Sequence, residues 1–162
     1  MKELKTAIPD RVRKGTVSVA DRVSALDKIC PHAVLATAAD GQPYTSLVAY
    51  ALTPDIQGVV FITPKATRKY RNILKNPRVS LLIDTRTNTP KDYMKAESVT
   101  ILGNARPIRR GKTRTTLAAI FLKKHPKLEE IIHSRETALI FIKITKCIHV
   151  TKFQSISVWE AK

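Results

Sequence analysis

Only two cysteines, Cys30 and Cys147, occur in 162 residues, and they stand far apart in no CxxC pattern. That excludes a disulfide framework and a cysteine metal signature, and both read as buried thiols. No apolar run is long enough to span a bilayer, and "MKELKTAIPDRVRKG" carries charge without the apolar stretch of a signal peptide. The expectation is a cytoplasmic protein without membrane contact. Aromatic residues are scarce at 6%, which leaves little to stack single-stranded nucleic acid on. Acids are scarce too, 13 against 29 Lys and Arg, for a net charge of +16. Such a chain favours anionic partners. GxSxG, a Walker loop, GxGxxG and HExxH are all missing, and His32, His125, His133 and His149 show no metal-ligand spacing. No metal site and no catalytic side chain is identified, so any chemistry must come with a cofactor.

At 43% hydrophobic, the chain is long enough for one well-buried core and short for two. Residues 1–16 read as a basic tail and 17–162 as a single domain. Two apolar runs, Ala33 to Ala38 and Tyr44 to Leu52, flank Asp40-Gly41, a hairpin signal. "GVVFIT", "RVSLLID", "SVTILGNARPI" and "TALIFIKITKCIHV" read as further strands, Gly103 marking a bulge, and "SISVWE" as a last one. Helical patterns run around Val19 to Ile29, from Arg68 to Lys75 and from about Lys112 to Lys124, and a polar loop runs from Thr85 to Glu97. Mostly consecutive strands with a few short helices predict an α+β, mainly β chain: a six-stranded antiparallel barrel.

The helix at Arg68 has an unusual charge. Thr67 is a good N-cap, Tyr70, Ile73 and Leu74 recur at helical spacing, and Asn76-Pro77 ends the run. Yet Lys65, Arg68, Lys69, Arg71 and Lys75 crowd this stretch with no acid among them. The first turn of a helix carries positive charge of its own and ordinarily attracts Asp or Glu. Two readings stay open on these residues: a solvated helix face, or a phosphate seat made of backbone N–H groups, the Thr67 hydroxyl and two or three cations. A second basic segment, Arg106 to Lys127, has eight cations, no acid and one aromatic, Phe121. With no zinc-finger spacing and no repeated module, nucleic acid ranks below a small phosphorylated ligand as the partner.

The order "GQPYTSLVAYA", "GVVFIT", "ATRKYRNILKNPRVSLLI", "ESVTILGNARPI" resembles the core of the pyridoxamine 5′-phosphate oxidase-like, FMN-binding split-barrel family. The likeness runs continuously over roughly residues 30 to 110, and "CIHVTKFQSISVWEAK" is similar in placement to the family's last strands. The resemblance implies a six-stranded split barrel with Greek-key character and a homodimer with FMN in each of two interfacial clefts. It implies that Thr67, Arg68 and Lys69 hold the FMN phosphate, that Thr63 and Ser46, Leu47 and Val48 lie beside the flavin, and that Ser98 contacts the ring or ribityl chain, from the partner subunit in one reading. Lys91 or Lys95 would place charge near the ring. Where the oxidase has an Arg this chain has Ser46, and where it has a substrate-facing Lys this chain has Ala51. The expectation is therefore an FMN-dependent oxidoreductase acting on an unidentified small molecule, and not the oxidase itself. Alternatives within the resemblance are a flavin or haem carrier without turnover, His149 being the haem ligand to consider, and a deazaflavin-dependent reductase. Trp159 reads as a core or interface anchor, and Tyr44 and Tyr50 as barrel packing.

Overall fold

Asp40 and Gly41 both adopt the left-handed conformation, φ 52 and 75, which a two-residue type I′ turn needs. The turn joins β1 (His32–Ala39) to β2 (Gln42–Leu52), paired from His32↔Ala49 to Ala39↔Gln42. This computed structural model describes residues 18–151 and 155–161, so the basic tail expected over 1–16 lies outside the described residues. The remaining strands are β3 (Gly58–Pro64), β4 (Arg78–Asp84), β5 (Glu97–Pro107), β6 (Thr137–Thr151) and β7 (Ser155–Glu160).

Their order is β3-β2-β1-β4-β5-β6-β7, and β3 also pairs with β6. That second pairing closes an antiparallel barrel of six strands, with β7 added outside it. Because β4 returns beside β1 after the β1-β2-β3 meander, the connection is a Greek key. One strand makes the closure possible. β6 has 15 residues, and along one edge its first half pairs with β3 (Thr137 to Lys143) and its last part with β7 (Lys146 to Thr151). Along the other edge it follows β5, with a register shift between Leu102 and Gly103. This bulge gives the bend that a closed barrel requires. A Cβ on Gly103 would run into the Lys143 carbonyl oxygen and, at 2.6 Å, Ile142 Cγ2, so the crossing tolerates glycine only.

The barrel is stoppered at both ends. At the end holding Leu52, Asp84 and Glu97 sits α1 (Val19–Ile29), N-capped by Ser18, with Val23 and Leu26 fully buried. Asp27 on α1 accepts a hydrogen bond from the Leu52 N–H at 3.1 Å. At the opposite end sits α2 (Arg68–Lys75), whose Ile73 enters the core. Here the structure corrects the sequence pattern: Leu74 is 53% exposed, and the second anchor is Asn72, buried, its Nδ2 donating to Thr37 Oγ1 at 3.0 Å.

Outside the barrel, α4 (Lys112–Lys124) and α5 (Glu129–His133) cover β2, β3 and β6, packing Leu117, Ala118, Phe121 and Ile132 on Ala51, Val60 and Leu139. Both faces of β3 are thus covered, and this is why "GVVFI" is continuously apolar rather than alternating. The polar loop contains a short α3 (Asp92–Lys95); Asp92 gathers the backbone N–H groups of Thr87, Asn88 and Thr89. Trp159 on β7 packs against the main core. Among the described residues no helix is long and apolar enough to cross a membrane.

Candidate functional site

β2 and β3 pair only through Tyr50–Leu52 with Val59–Phe61. Beyond Tyr50 the two strands part: β3 continues along β6 to Pro64, while β2 continues along β1 back to Gln42. Among the described residues the β3-facing edge of residues 42–49 therefore has no strand partner, and half of its backbone polar groups face the opening between the strands.

The start of α2 stands at that opening. Arg68 places its guanidinium 5.1 Å from the centroid of the Tyr44 ring on β2. Thr67 caps the helix, its Oγ1 accepting from the Tyr70 N–H at 3.4 Å and donating to the Pro64 carbonyl at 2.8 Å. With that proton committed, Thr63 Oγ1, 3.0 Å away on the end of β3, donates to Thr67. Thr63 is 2% exposed, so this hydroxyl pair is a fixed polar element at the edge of the core.

The first turn of α2 contains no acid. Three of the five cations around it are engaged: Lys75 with exposed Asp40 at 3.2 Å, Lys65 with the Arg135 carbonyl at 2.5 Å, and Arg71 with the Ala66 carbonyl at 2.8 Å. Among the described residues Arg68 has only the Tyr44 ring. Among the described residues Lys69 has no ion-pair or hydrogen-bond partner, and partial burial pulls its ammonium pKa below the ordinary lysine value. A cation held without counter-charge at a helix N-terminus is electrostatically unfavourable, and an anion there relieves both.

Of the residues selected from sequence, the structure gathers Thr63, Thr67, Arg68 and Lys69 at one place, with Ser46 and Leu47 on the adjoining open edge. The Ser46 hydroxyl is buried without a hydrogen-bond partner, and Leu47 is 68% exposed. Val48 shares the face of Ser46 and lies in the core, with Leu47 on the opposite face, and it offers the opening only its main chain. Tyr50 is likewise core, while Tyr44 lies under Arg68. Ser98 is not part of this group within one chain. It pairs with Asp84, five residues along β4 from Val79 and so roughly 17 Å toward the α1 end. There it lines a cleft of about 310 Å³ with Tyr93, Glu97 and Thr151. Lys91 and Lys95 are in the same loop region.

Two of the four histidines, His149 and His125, have structural partners. His149 Nε2 lies 2.9 Å from Glu97 Oε2, and Glu97 also takes Arg22. Burial alone would raise the Glu97 pKa, but the bonds from Arg22 and His149 outweigh it and hold the carboxyl below its ordinary value. His125 Nε2 is 2.7 Å from the Tyr50 carbonyl oxygen. Among the described residues no group of three His, Cys, Asp or Glu is placed to hold a metal.

Sequence reasoning treated Arg106 to Lys127 as one basic segment, and the structure breaks it up. Arg106 lies over the Phe141 ring at 5.9 Å, Lys124 is half-buried in an ion pair with Asp27 at 2.7 Å, and Arg109, Arg110 and Arg114 open onto a cleft. Spacing alone gives no signal that separates these three roles.

Comparison with known proteins agrees with this architecture. The family model described as pyridoxamine 5′-phosphate oxidase matches residues 20–150. A haem-binding protein from Mycobacterium smegmatis superposes with a TM-score of 0.76 at 19% identity, over 90% of this chain and 59% of that one. HutZ, the haem storage protein from Vibrio cholerae, gives 0.67 at 17% identity over 76% and 87%. An FAD-binding protein from Mesorhizobium loti gives 0.65 at 18% identity over 82% and 94%. The chain spans less than two thirds of the mycobacterial protein's length. No curated protein matches it. At these identities the structural likeness shows the fold.

Proposed function

The chain belongs to the pyridoxamine 5′-phosphate oxidase family, and on that premise we propose that it is a flavoprotein holding FMN in the opening between β2 and β3. The observation that carries this reading is the acid-free start of α2, with Arg68 and unpartnered Lys69, set against a strand edge that has no strand partner. A phosphate dianion answers the charge of that turn, with the Thr67 hydroxyl and backbone N–H groups as further donors. The free main-chain edge of β2 at Ser46, Leu47 and Val48 supplies hydrogen bonds for a ring with a polar rim, and exposed Leu47 supplies apolar surface.

Ser98, Lys91 and Lys95 lie too far from this seat to serve it within one chain. In a two-fold homodimer they would reach the flavin of the other subunit, so the reading includes a dimer in which each cleft is shared. Bound FMN supplies hydride or single-electron transfer, and this chain's part is to bind it, orient it and exclude water. The reaction class is oxidoreduction of a small molecule. With Ser46 and Ala51 in place of the oxidase's Arg and Lys, pyridoxamine phosphate is not the expected substrate.

Two neighbours bind or store haem. His149, the ligand this chain would bring, is buried and committed to Glu97, which favours flavin over haem. The test is the absorbance spectrum of purified protein, before and after reconstitution with FMN, since flavin, deazaflavin and haem have different bands. A flavin spectrum in a sedimenting dimer of the 18.1 kDa chain is expected. A colourless protein that takes up no FMN overturns the reading.

A further inference from the structure

A second cleft, about 680 Å³, opens beside Lys65 and Tyr70. Five cations line it, from three separate segments: Lys65 after β3, Arg109, Arg110 and Arg114 around the start of α4, and Arg135 in the turn before β6. Among the described residues no carboxylate lines it. Two of the cations are pinned: Arg114 donates to the Ile132 carbonyl at 3.1 Å, and Lys65 to that of Arg135 at 2.5 Å. Among the described residues Arg109, Arg110 and Arg135 have neither an ion pair nor a side-chain hydrogen bond. Tyr70, Ile108 and Leu139 give the same cleft an apolar lining.

A cleft of this size falls in the range that takes a whole small ligand rather than an ion. Held by neutral carbonyl oxygens, Lys65 and Arg114 keep their charge, so where one phosphate engages two or three cations, five on three walls match at least two linked anionic groups. The apolar lining then has a ring to cover. We propose that this cleft binds a nucleoside diphosphate, its phosphates on Arg109, Arg110 and Arg135 and its base or ribose against Tyr70 and Ile108. The site is separate from the flavin seat, because Thr67, Arg68 and Lys69 do not line it. It stands whether or not FMN binds at the split.

The experiment is calorimetric titration of the full chain with ADP, pyrophosphate and inorganic phosphate at physiological salt, where scattered surface charges are largely screened. ADP should bind most tightly and inorganic phosphate least, by at least about tenfold. Arg109→Ser with Arg110→Ser should weaken ADP by at least about tenfold, and Arg135→Gln, whose side chain holds no structural bond, should weaken it in the same direction. Arg68→Ala with Lys69→Ala, and Lys123→Ala with Lys127→Ala, should each change it less than about threefold. FMN uptake of the Arg109/Arg110 variant should equal the parent's, which separates failure of this site from failure of the flavin reading. ADP binding no tighter than phosphate, or weakened equally by the Lys123/Lys127 control, overturns the proposal.

Discussion

Replacing Arg68 and Lys69 together by alanine is the sharpest test of the flavin seat. A hydrogen bond to a charged group contributes roughly 1.5–3 kcal/mol. Arg68 is exposed and stacked over Tyr44, so its share belongs at the low end; Lys69 is half-buried and unpartnered, so its share belongs higher. The pair together should contribute about 3–5 kcal/mol, which is two to four orders of magnitude in FMN affinity. The helix should survive the change. Its hold on the barrel is Ile73, 2% exposed, and the Asn72 bond to Thr37, neither of which is touched. Removing cations from a helix N-terminus relieves repulsion, so the apo protein should melt at the parent's temperature or slightly above. The assay is FMN titration by fluorescence quenching, with thermal melts of the apo forms and Lys123→Ala/Lys127→Ala as a charge-matched control. If the Arg68/Lys69 variant binds like the parent, or the control loses as much, the cations are a solvated face and the phosphate seat is misplaced.

Three further outcomes follow from the packing. Lys124→Ala removes bonds to Asp27 at 2.7 Å and the Cys30 carbonyl at 3.0 Å and leaves Asp27 half-buried without its partner; urea unfolding should show a loss of about 2–4 kcal/mol, against under about 0.5 for exposed Lys123→Ala. Glu97 has a folded pKa below its ordinary 4.5, so its stabilisation is complete above that value and is lost as pH falls through the lowered one; Glu97→Gln should destabilise the protein at pH 7 and flatten its acid-unfolding limb below pH 4.5. Gly103→Ala sets a methyl against the Lys143 backbone and should cost at least roughly 2 kcal/mol by chemical denaturation, more than Gly41→Ala, which meets no atom and bears only the strain of a positive φ, about 1 kcal/mol.

Elements whose side chains obey one period were legible. The apolar/polar alternation of "RVSLLID" marks β4 as Arg78–Asp84, and the helical spacing around Val23 and Leu26 marks α1 as Val19–Ile29. What failed was whatever depends on a distant partner. Hydropathy ranks Leu74 above Asn72 as an anchor of α2, yet Thr37, 35 residues away, gives Asn72 the hydrogen bond that lets it be buried. The short α5 was missed because five residues after Pro126 cannot show a helical period. β6 read as one strand, but nothing local shows that its two halves pair with different neighbours, and that division is what lets its first half close the barrel on β3.

The site divides along the same line. The charge conflict at Thr67-Arg68-Lys69, cations on a helix N-terminus, shows in the sequence because it is contained within one turn. The roles within the run from Arg106 to Lys127 do not, because Coulomb interactions depend on distance in space and not on separation in sequence. Lys123 and Lys124 are neighbours in the chain, yet one is exposed and the other lies 3.8 Å over the Tyr50 ring with Asp27 as its counter-ion. Arg109 and Arg135 are far apart in the chain, yet they line one cleft. The useful quantity is therefore not how many cations a segment carries but which of them the fold leaves without a partner. By that measure the two proposals place anions at Lys69 in the split and at Arg109, Arg110 and Arg135 in the second cleft, and not at Lys75, Arg86, Lys124 and Lys146, each with its own carboxylate.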